Sequence, residues 1–209
     1  MTIRKGEAWG TVMMPPPGLR IVTDDAALHD WINQHRARSE MIRDVGLGGG
    51  DLARTAGGGV DRESAAGRFA GDVLAAPFDV VRVMADDGRV VWSCSHIVAR
   101  RSWWRGEVLF AMTAQFWHGR DIAPRSYPND GKVDVLRVAA QMRVRTRLAA
   151  RRRARTGTHV PHPQLTFTQL ADTTISFDRP VVVWVDDRRW GRAAQLRLVV
   201  EPDAYTAYV

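Results

Sequence analysis

The chain has 209 residues, 45% hydrophobic and 25% charged, with a formal net charge of +7 and a sequence pI of about 10.6. These values fit a soluble globular protein that buries a real core, and no apolar run reaches the ~20 residues of a membrane-spanning helix. The positive balance favours an anionic partner: nucleic acid, phospholipid headgroups or a phosphorylated small molecule. Cys94 is the single cysteine, which excludes an intrachain disulfide. With no apolar stretch behind the basic N-terminus, it points to the cytoplasm.

Residues 1–20 read as an irregular leader, because Pro15, Pro16 and Pro17 fix φ and lack the amide donor. Ile21-Val22 reads as a short strand. Thr23 or Asp24 then caps a helix running to about Arg38, with Asp25 at the positive end of its dipole. Leu28, Trp31, Ile32 and His35 share one face of that helix. The run Val45–Gly59 holds Gly48, Gly49, Gly50 and Asp51 ahead of a helical start. Free amides at such a start suit an anion, so these four residues are candidates for phosphate or nucleotide binding. No Gly-Lys-Ser/Thr follows, so this is not a Walker A loop. The other reading is a flexible connection capped by Asp51, whose carboxylate competes with an anion for that spot.

From residue 77 the texture turns to β. Asp79–Met84 and Arg89–Ala99 are joined by the hairpin signal Asp86-Asp87-Gly88. Cys94 lies inside the second of these runs, as a core thiol. Glu107–Trp117 is another strand, preceded by Trp103-Trp104. Tyr127-Pro128-Asn129-Asp130-Gly131-Lys132 is a turn that feeds the strand Val133–Val138 and holds a carboxylate at a sheet edge. Ala139–Arg155 reads as a helix across a sheet, with Met142, Leu148 and Ala149 inward and seven arginines fanned into solvent. Of these, Arg151, Arg152 and Arg153 are candidates for an anion or lipid headgroup. Leu165–Leu170, Thr173–Phe177, Val181–Val185, Arg189–Val200 and Tyr205–Val209 follow as short strands without intervening helices, the pattern of a β-sandwich. His159, His162 and Asp172 lack a helix that would align them on a catalytic metal.

Four stretches taken together resemble the diacylglycerol kinase-like lipid kinases of the NAD kinase superfamily. Gly48–Thr55 resembles that family's Gly-Thr-Gly-Asn-Asp-Phe/Leu-Ala-Arg segment, and Asn129–Val135 its Asp-Asp-Gly-x-Leu-Asp-Val turn and strand. Gly157–Pro163 resembles a Gly-x-His-x-x-x-Pro stretch. Val181–Asp187 with Gln195–Val209 is similar to the terminal pattern of Asp-Gly-Glu, strand, Glu-Pro turn and closing strand. The likeness runs from about residue 45 to residue 209. It implies an α+β, mostly β fold: a reduced N-terminal α/β segment (1–70) and a large β-sandwich domain (71–209). It also implies transfer of the γ-phosphoryl of ATP to a lipid hydroxyl, which needs a nucleotide cradle, Mg²⁺ and a proton acceptor.

The metal role carries over to Asp130, with main-chain carbonyls near Tyr127 and Lys132; oxygen ligands suit Mg²⁺. The proton acceptor falls at Asp186-Asp187-Arg188, where arginine stands in the family's glutamate position and cannot accept a proton. That leaves Asp186 and Asp187 as catalytic candidates. The family's Gly-Gly-Asp-Gly-Thr nucleotide motif has no counterpart here, and Gly48 and Gly50 replace Thr and Asn. The expectation is therefore a catalytically impaired, lipid-kinase-like protein that binds lipid or a phosphorylated ligand, with Mg²⁺ in place and ATP weakly held. Peripheral membrane contact and a homodimer are compatible with it. The alternative is an active kinase whose site is completed by dimerisation or by a nucleotide-binding partner. A nucleic-acid binder ranks third, because the arginines are not interleaved with stacking aromatics.

Overall fold

The computed structural model describes residues 9–58 and 65–209. Met1–Ala8 of the expected leader and Gly59 of the glycine run lie outside the described residues. The elements in order are β1 (Thr11–Met13), β2 (Arg20–Val22), α1 (Asp25–Ala37), β3 (Val45–Leu47), α2 (Asp51–Thr55), α3 (Ala65–Arg68), β4 (Val73–Ala85), β5 (Val90–Ser93), β6 (His96–Arg100), β7 (Val108–Met112), β8 (Phe116–Trp117), β9 (Arg120–Asp121), β10 (Val133–Val138), α4 (Val144–Arg153), β11 (Leu165–Leu170), β12 (Asp172–Val185) and β13 (Arg188–Tyr208). The protein is mostly β, as expected. Strands β1-β4-β13-β12-β6-β7-β10-β11 form one hydrogen-bonded path, β5 adds to β4, β3 joins β13 in parallel, and β2 pairs in parallel with β3. The N-terminal segment is thus built into the same sheet as the β-sandwich.

Strand alternation sorts side chains into separate cores. Val81 and Val83 of β4, Ile97 and Ala99 of β6, Leu109 and Ala111 of β7, and Val133 and Val135 of β10 meet in the central cluster. Their neighbours Val98, Val108, Phe110, Met112 and Leu136 point the other way, into a second cluster beneath α4. Strands buried on both faces read as unbroken apolar runs, which is why β7 shows no polar alternation. A third cluster places Leu28 and Ile32 of α1 against Phe78, Val80 and Tyr205.

Helix α1 starts where expected: Asp24 caps it by accepting the Ala27 amide at 2.8 Å. Several other expectations need correction. The leader contains β1, an exposed edge strand on β4; the prolines follow it and end it. The expected run Arg89–Ala99 is broken between β5 and β6, because the amides of residues 94–96 turn to a buried carboxylate described below. The last four expected segments fuse into β12 and β13, with register shifts after Ser176 and after Glu201 absorbing the turn residues as bulges. The arginine-rich helix is shorter than Ala139–Arg155, and Leu148 is 39% exposed rather than inward. Arg147 is the correction with most consequence: it is buried, not fanned into solvent. Its guanidinium donates to the carbonyls of Met142, Trp103, Gly106 and Ala139. Those carbonyls are thereby held out of a helix and tied to the β6–β7 connection. Among the described residues, no helix is long and apolar enough to cross a membrane.

Candidate functional site

Asp186 and Asp187 are the two central residues of the tight turn joining β12 to β13, and both have positive φ, 46° and 66°. A two-residue hairpin loop requires that backbone, and aspartate tolerates it better than most residues. The turn sends the two carboxylates to different environments. Asp186 is fully buried. Its Oδ1 accepts from Ser93 Oγ (2.9 Å) and from the amides of Ser95 and His96 (both 2.9 Å). Its Oδ2 accepts from the Cys94 amide (3.0 Å) and lies 3.0 Å from His29 Nδ1. Burial alone would raise its pKa, but these partners outweigh burial and the net shift is downward. Asp186 is therefore an anchor that ties α1 and the β5–β6 corner to the turn, with no carboxylate lone pair turned to solvent.

Asp187 faces outward and is half-exposed. Its Oδ1 meets His118 Nε2 at 2.9 Å and His96 Nε2 at 3.2 Å. Burial works to raise its pKa, but the two imidazoles hold it well below the usual carboxylate range. His96 is fully buried, which works against protonation, yet Asp187, Asp186 and Asp25 together raise its pKa. His118 is raised chiefly by its bond to Asp187. Arg188, which follows the two central residues and opens β13, pairs with Asp30.

The glycine segment closes on the same cluster. Asp25 accepts from Ser95 Oγ at 2.7 Å and from the Leu52 amide at 3.2 Å, and burial pushes it up to about 6. Gly50, with φ of +101°, lies so close that a Cβ would stand 2.2 Å from Asp25 Oδ1. Asp51 accepts from the amides of His118 and Gly119. Gly48 donates its amide to the Val22 carbonyl at 2.8 Å, and Gly49 lies buried between these two residues. Two carboxylates therefore occupy the place where a phosphate cradle was considered, and a triphosphate there meets repulsion unless a cation intervenes. Cys94 is buried with its thiol pKa raised, first by burial, as a core residue should be.

The Tyr127–Lys132 turn lies elsewhere on the sheet. Asp130 accepts the amide of Lys132 at 3.0 Å, and burial raises its pKa. Asp79 accepts the amides of Gly131 and Asp203 at 2.8 and 2.9 Å, and burial pushes it up to about 6. Tyr127 is exposed. Asn129 Oδ1 has no hydrogen-bond partner among the described residues, and the buried Asp134 has its pKa raised by burial, against the lowering effect of Ser126 and Gln169. Oxygen atoms of this kind suit a hard cation. Among the described residues, however, no three His, Cys, Asp or Glu side chains converge as a metal site.

Beneath α4, the second core opens into a cavity of about 160 Å³ walled by Trp103, Phe110, Trp117, Leu136, Met142 and Leu165, with Trp104 and Arg151 also lining it. Trp117 packs on Trp103 and Phe110 with ring centroids 5.3 Å apart. Trp103, Trp104 and Trp117 thus line an apolar cleft. Arg151, Arg152 and Arg153 are exposed, and only Arg151 reaches this cavity. His159 lines it too, whereas Asp172 is paired with Arg197, apart from both histidines of the Gly157–Pro163 stretch. The apolar wall and the polar cluster adjoin: the Trp117 ring lies 4.5 Å from that of His118, which bonds Asp187.

Sequence reasoning placed Asp25 only at the start of a helix and did not single out His29, His96 or His118. The available signal was the Ser-Cys-Ser-His stretch, small polar residues interrupting an apolar run. The Asp186 turn was found through the family resemblance.

Most of the chain resembles two structures solved as a "putative diacylglycerol kinase" from Bacillus anthracis str. Sterne. The first superposes with a TM-score of 0.70 at 12% identity, over 91% of this chain and 78% of that one. The second gives 0.61 at 12% identity, over 90% and 77%. At this identity the likeness establishes the fold. No curated protein matches the sequence. The family model described as the YegS C-terminal NAD kinase beta sandwich-like domain matches residues 87–208, more than half of the chain, and the chain belongs to that family.

Proposed function

We propose that this lipid-kinase-like protein binds the apolar part of a lipid in the cavity beneath α4 and does not phosphorylate it unaided. The observation that carries the reading is the aromatic cavity whose wall residue Trp117 leads directly into the His118–Asp187 pair. A buried aromatic wall beside a few convergent polar groups is the usual form of a ligand site. Exposed Arg151, Arg152 and Arg153 on α4 supply cations for an anionic headgroup or a membrane surface.

Three features support catalytic impairment. Asp186 is consumed by its five donors. Asp187 is a weak base, because two imidazoles stabilise its charged form. The glycine segment is filled by Asp25 and Asp51. Mg²⁺, in this proposal, is held by Asp130 with the carbonyls of Tyr127 and Lys132, where it would fix the turn.

The test has two arms: calorimetry with ATP up to several millimolar in millimolar Mg²⁺, and tryptophan fluorescence titrated with a short-chain diacylglycerol or monoacylglycerol. Saturable lipid binding without nucleotide heat is the expected result. Tight ATP binding, with lipid phosphorylation abolished by Asp187→Asn, would overturn the impaired reading. ATP binding that grows with protein concentration, or with an added nucleotide-binding partner, would favour the completed-site alternative.

A further inference from the structure

Three side-chain nitrogens of residues lining the cavity are buried without a hydrogen-bond partner among the described residues: His159 Nδ1, Trp117 Nε1 and Arg120 Nε. His159 is 4% exposed and its Nε2 lies 3.1 Å from the Ile122 carbonyl oxygen. A carbonyl only accepts, so Nε2 carries the proton. Burial lowers the His159 pKa, which keeps the ring neutral and leaves Nδ1 as a bare acceptor. Nδ1 has no hydrogen-bond partner among the described residues, and neither has the indole N–H of Trp117. A buried acceptor and a buried donor left unpaired both cost stability, and each is met by a ligand group of opposite kind. Arg120 and Arg151 also line the cavity, the rest of its wall is mostly apolar, and the Arg147 guanidinium is spent on main-chain carbonyls. At about 160 Å³ the cavity is close in size to the ~150 Å³ voids that hold one benzene, a volume for roughly six carbons, which is a segment of one chain.

We propose that the cavity takes a single-chain amphiphile whose hydroxyl donates to His159 Nδ1, while a hydroxyl or carbonyl oxygen near it accepts from Trp117 Nε1. This rests on the apolar-ligand reading of the same cavity. It adds the class of ligand: one chain, uncharged at the anchor, with an O–H close to the chain. A carboxylate in that place would bring no proton to Nδ1, and a hydrocarbon would leave both nitrogens unmatched.

The experiment compares octan-1-ol, octyl methyl ether and 1-monooctanoylglycerol with dioctanoylglycerol, following tryptophan fluorescence of the full chain. The alcohol and the monoester are expected to bind about tenfold more tightly than the ether, the scale of one buried hydrogen bond of about 1.4 kcal/mol. In His159→Leu the alcohol's advantage over the ether should vanish while the ether still binds. Trp117→Phe, which keeps a ring and removes the N–H, should weaken the monoester and leave the ether unchanged. Equal binding of alcohol and ether in the unaltered protein would overturn the anchor and leave the apolar cavity standing. If no probe binds, the cavity reading itself falls. Tighter binding of dioctanoylglycerol than of the monoester would overturn the single-chain assignment.

Discussion

Substituting Asp186 by asparagine tests whether the turn carboxylate is the anchor of this fold. The amide oxygen of asparagine can keep the three donors at Oδ1: Ser93 Oγ and the amides of Ser95 and His96. The amide nitrogen then replaces Oδ2 and faces the Cys94 amide and His29 Nδ1. His29 can adopt the tautomer that accepts, but the Cys94 N–H cannot, and a buried donor is left facing another donor. That unsatisfied group costs about 1–3 kcal/mol, and loss of charge assistance at the other bonds adds about 0.5–1 each. Relief from burying a charge offsets part of this, leaving a net loss of about 3 kcal/mol. At roughly 2–4 °C per kcal/mol for a chain of this size, Tm should fall by about 6–12 °C. Urea unfolding followed by circular dichroism should show a lower midpoint with an unchanged m-value. Asp187→Asn, at a half-exposed site, should cost less than about 1 kcal/mol. An Asp186→Asn protein within about 0.5 kcal/mol of the parent would refute the anchor, because the broken run between β5 and β6 would then be held by something else.

Gly50→Ala should destabilise by about 2 kcal/mol or more, since the new Cβ meets Asp25 Oδ1 on a backbone with φ of +101°; a neutral effect in the same urea assay would show that the segment shifts freely. The pH dependence has a definite sign. Asp25 and Asp79 are raised from 3.8 to about 6, so the folded state binds more protons, and stability declines as pH rises from about 4 to 6. His96 and His118 are also raised: their contribution is complete below 6.5 and is lost as pH climbs through their higher folded values. Asp186 and Asp187, both lowered, act oppositely and lose their contribution as pH falls below 3.8. Stability should therefore peak on the acidic side of neutrality, and a flat profile from pH 5 to 8 would contradict these shifts. Asp25→Asn should remove about half of the decline between 4 and 6, Asp79 keeping its share, and at pH 7.5 should stabilise by up to about 3 kcal/mol. Replacing Arg151, Arg152 and Arg153 together by glutamine should weaken binding to anionic vesicles in a salt-sensitive way, with no change in Tm beyond about 2 °C; unchanged flotation with vesicles would remove α4 from any membrane contact.

Local chemistry made much of this chain readable. Asp24 caps α1 because a short carboxylate reaches the free amides of a first turn, wherever that helix later packs. Asp86-Asp87-Gly88 forms its hairpin because Gly88 accepts a φ of 83°, and β10 and β11 have the bounds their apolar runs gave them. Residue order and turn chemistry together were enough to place the chain among the lipid-kinase-like proteins, which the family match bears out. What the sequence could not disclose depends on groups far apart in the chain. Arg147 looks like any of its neighbours on α4, and only the return of the β6–β7 connection supplies the carbonyls that bury it. Asp186 and Asp187 are adjacent and chemically identical. Their different fates follow from the hairpin turn, which directs one carboxylate into the amides of residues 94–96 and the other between His96 and His118. His96 comes from β6 and His118 from the turn between β8 and β9, and no local spacing announces them. A carboxylate's environment is fixed by whichever donors the fold brings within 3 Å, and that is decided by tertiary structure alone.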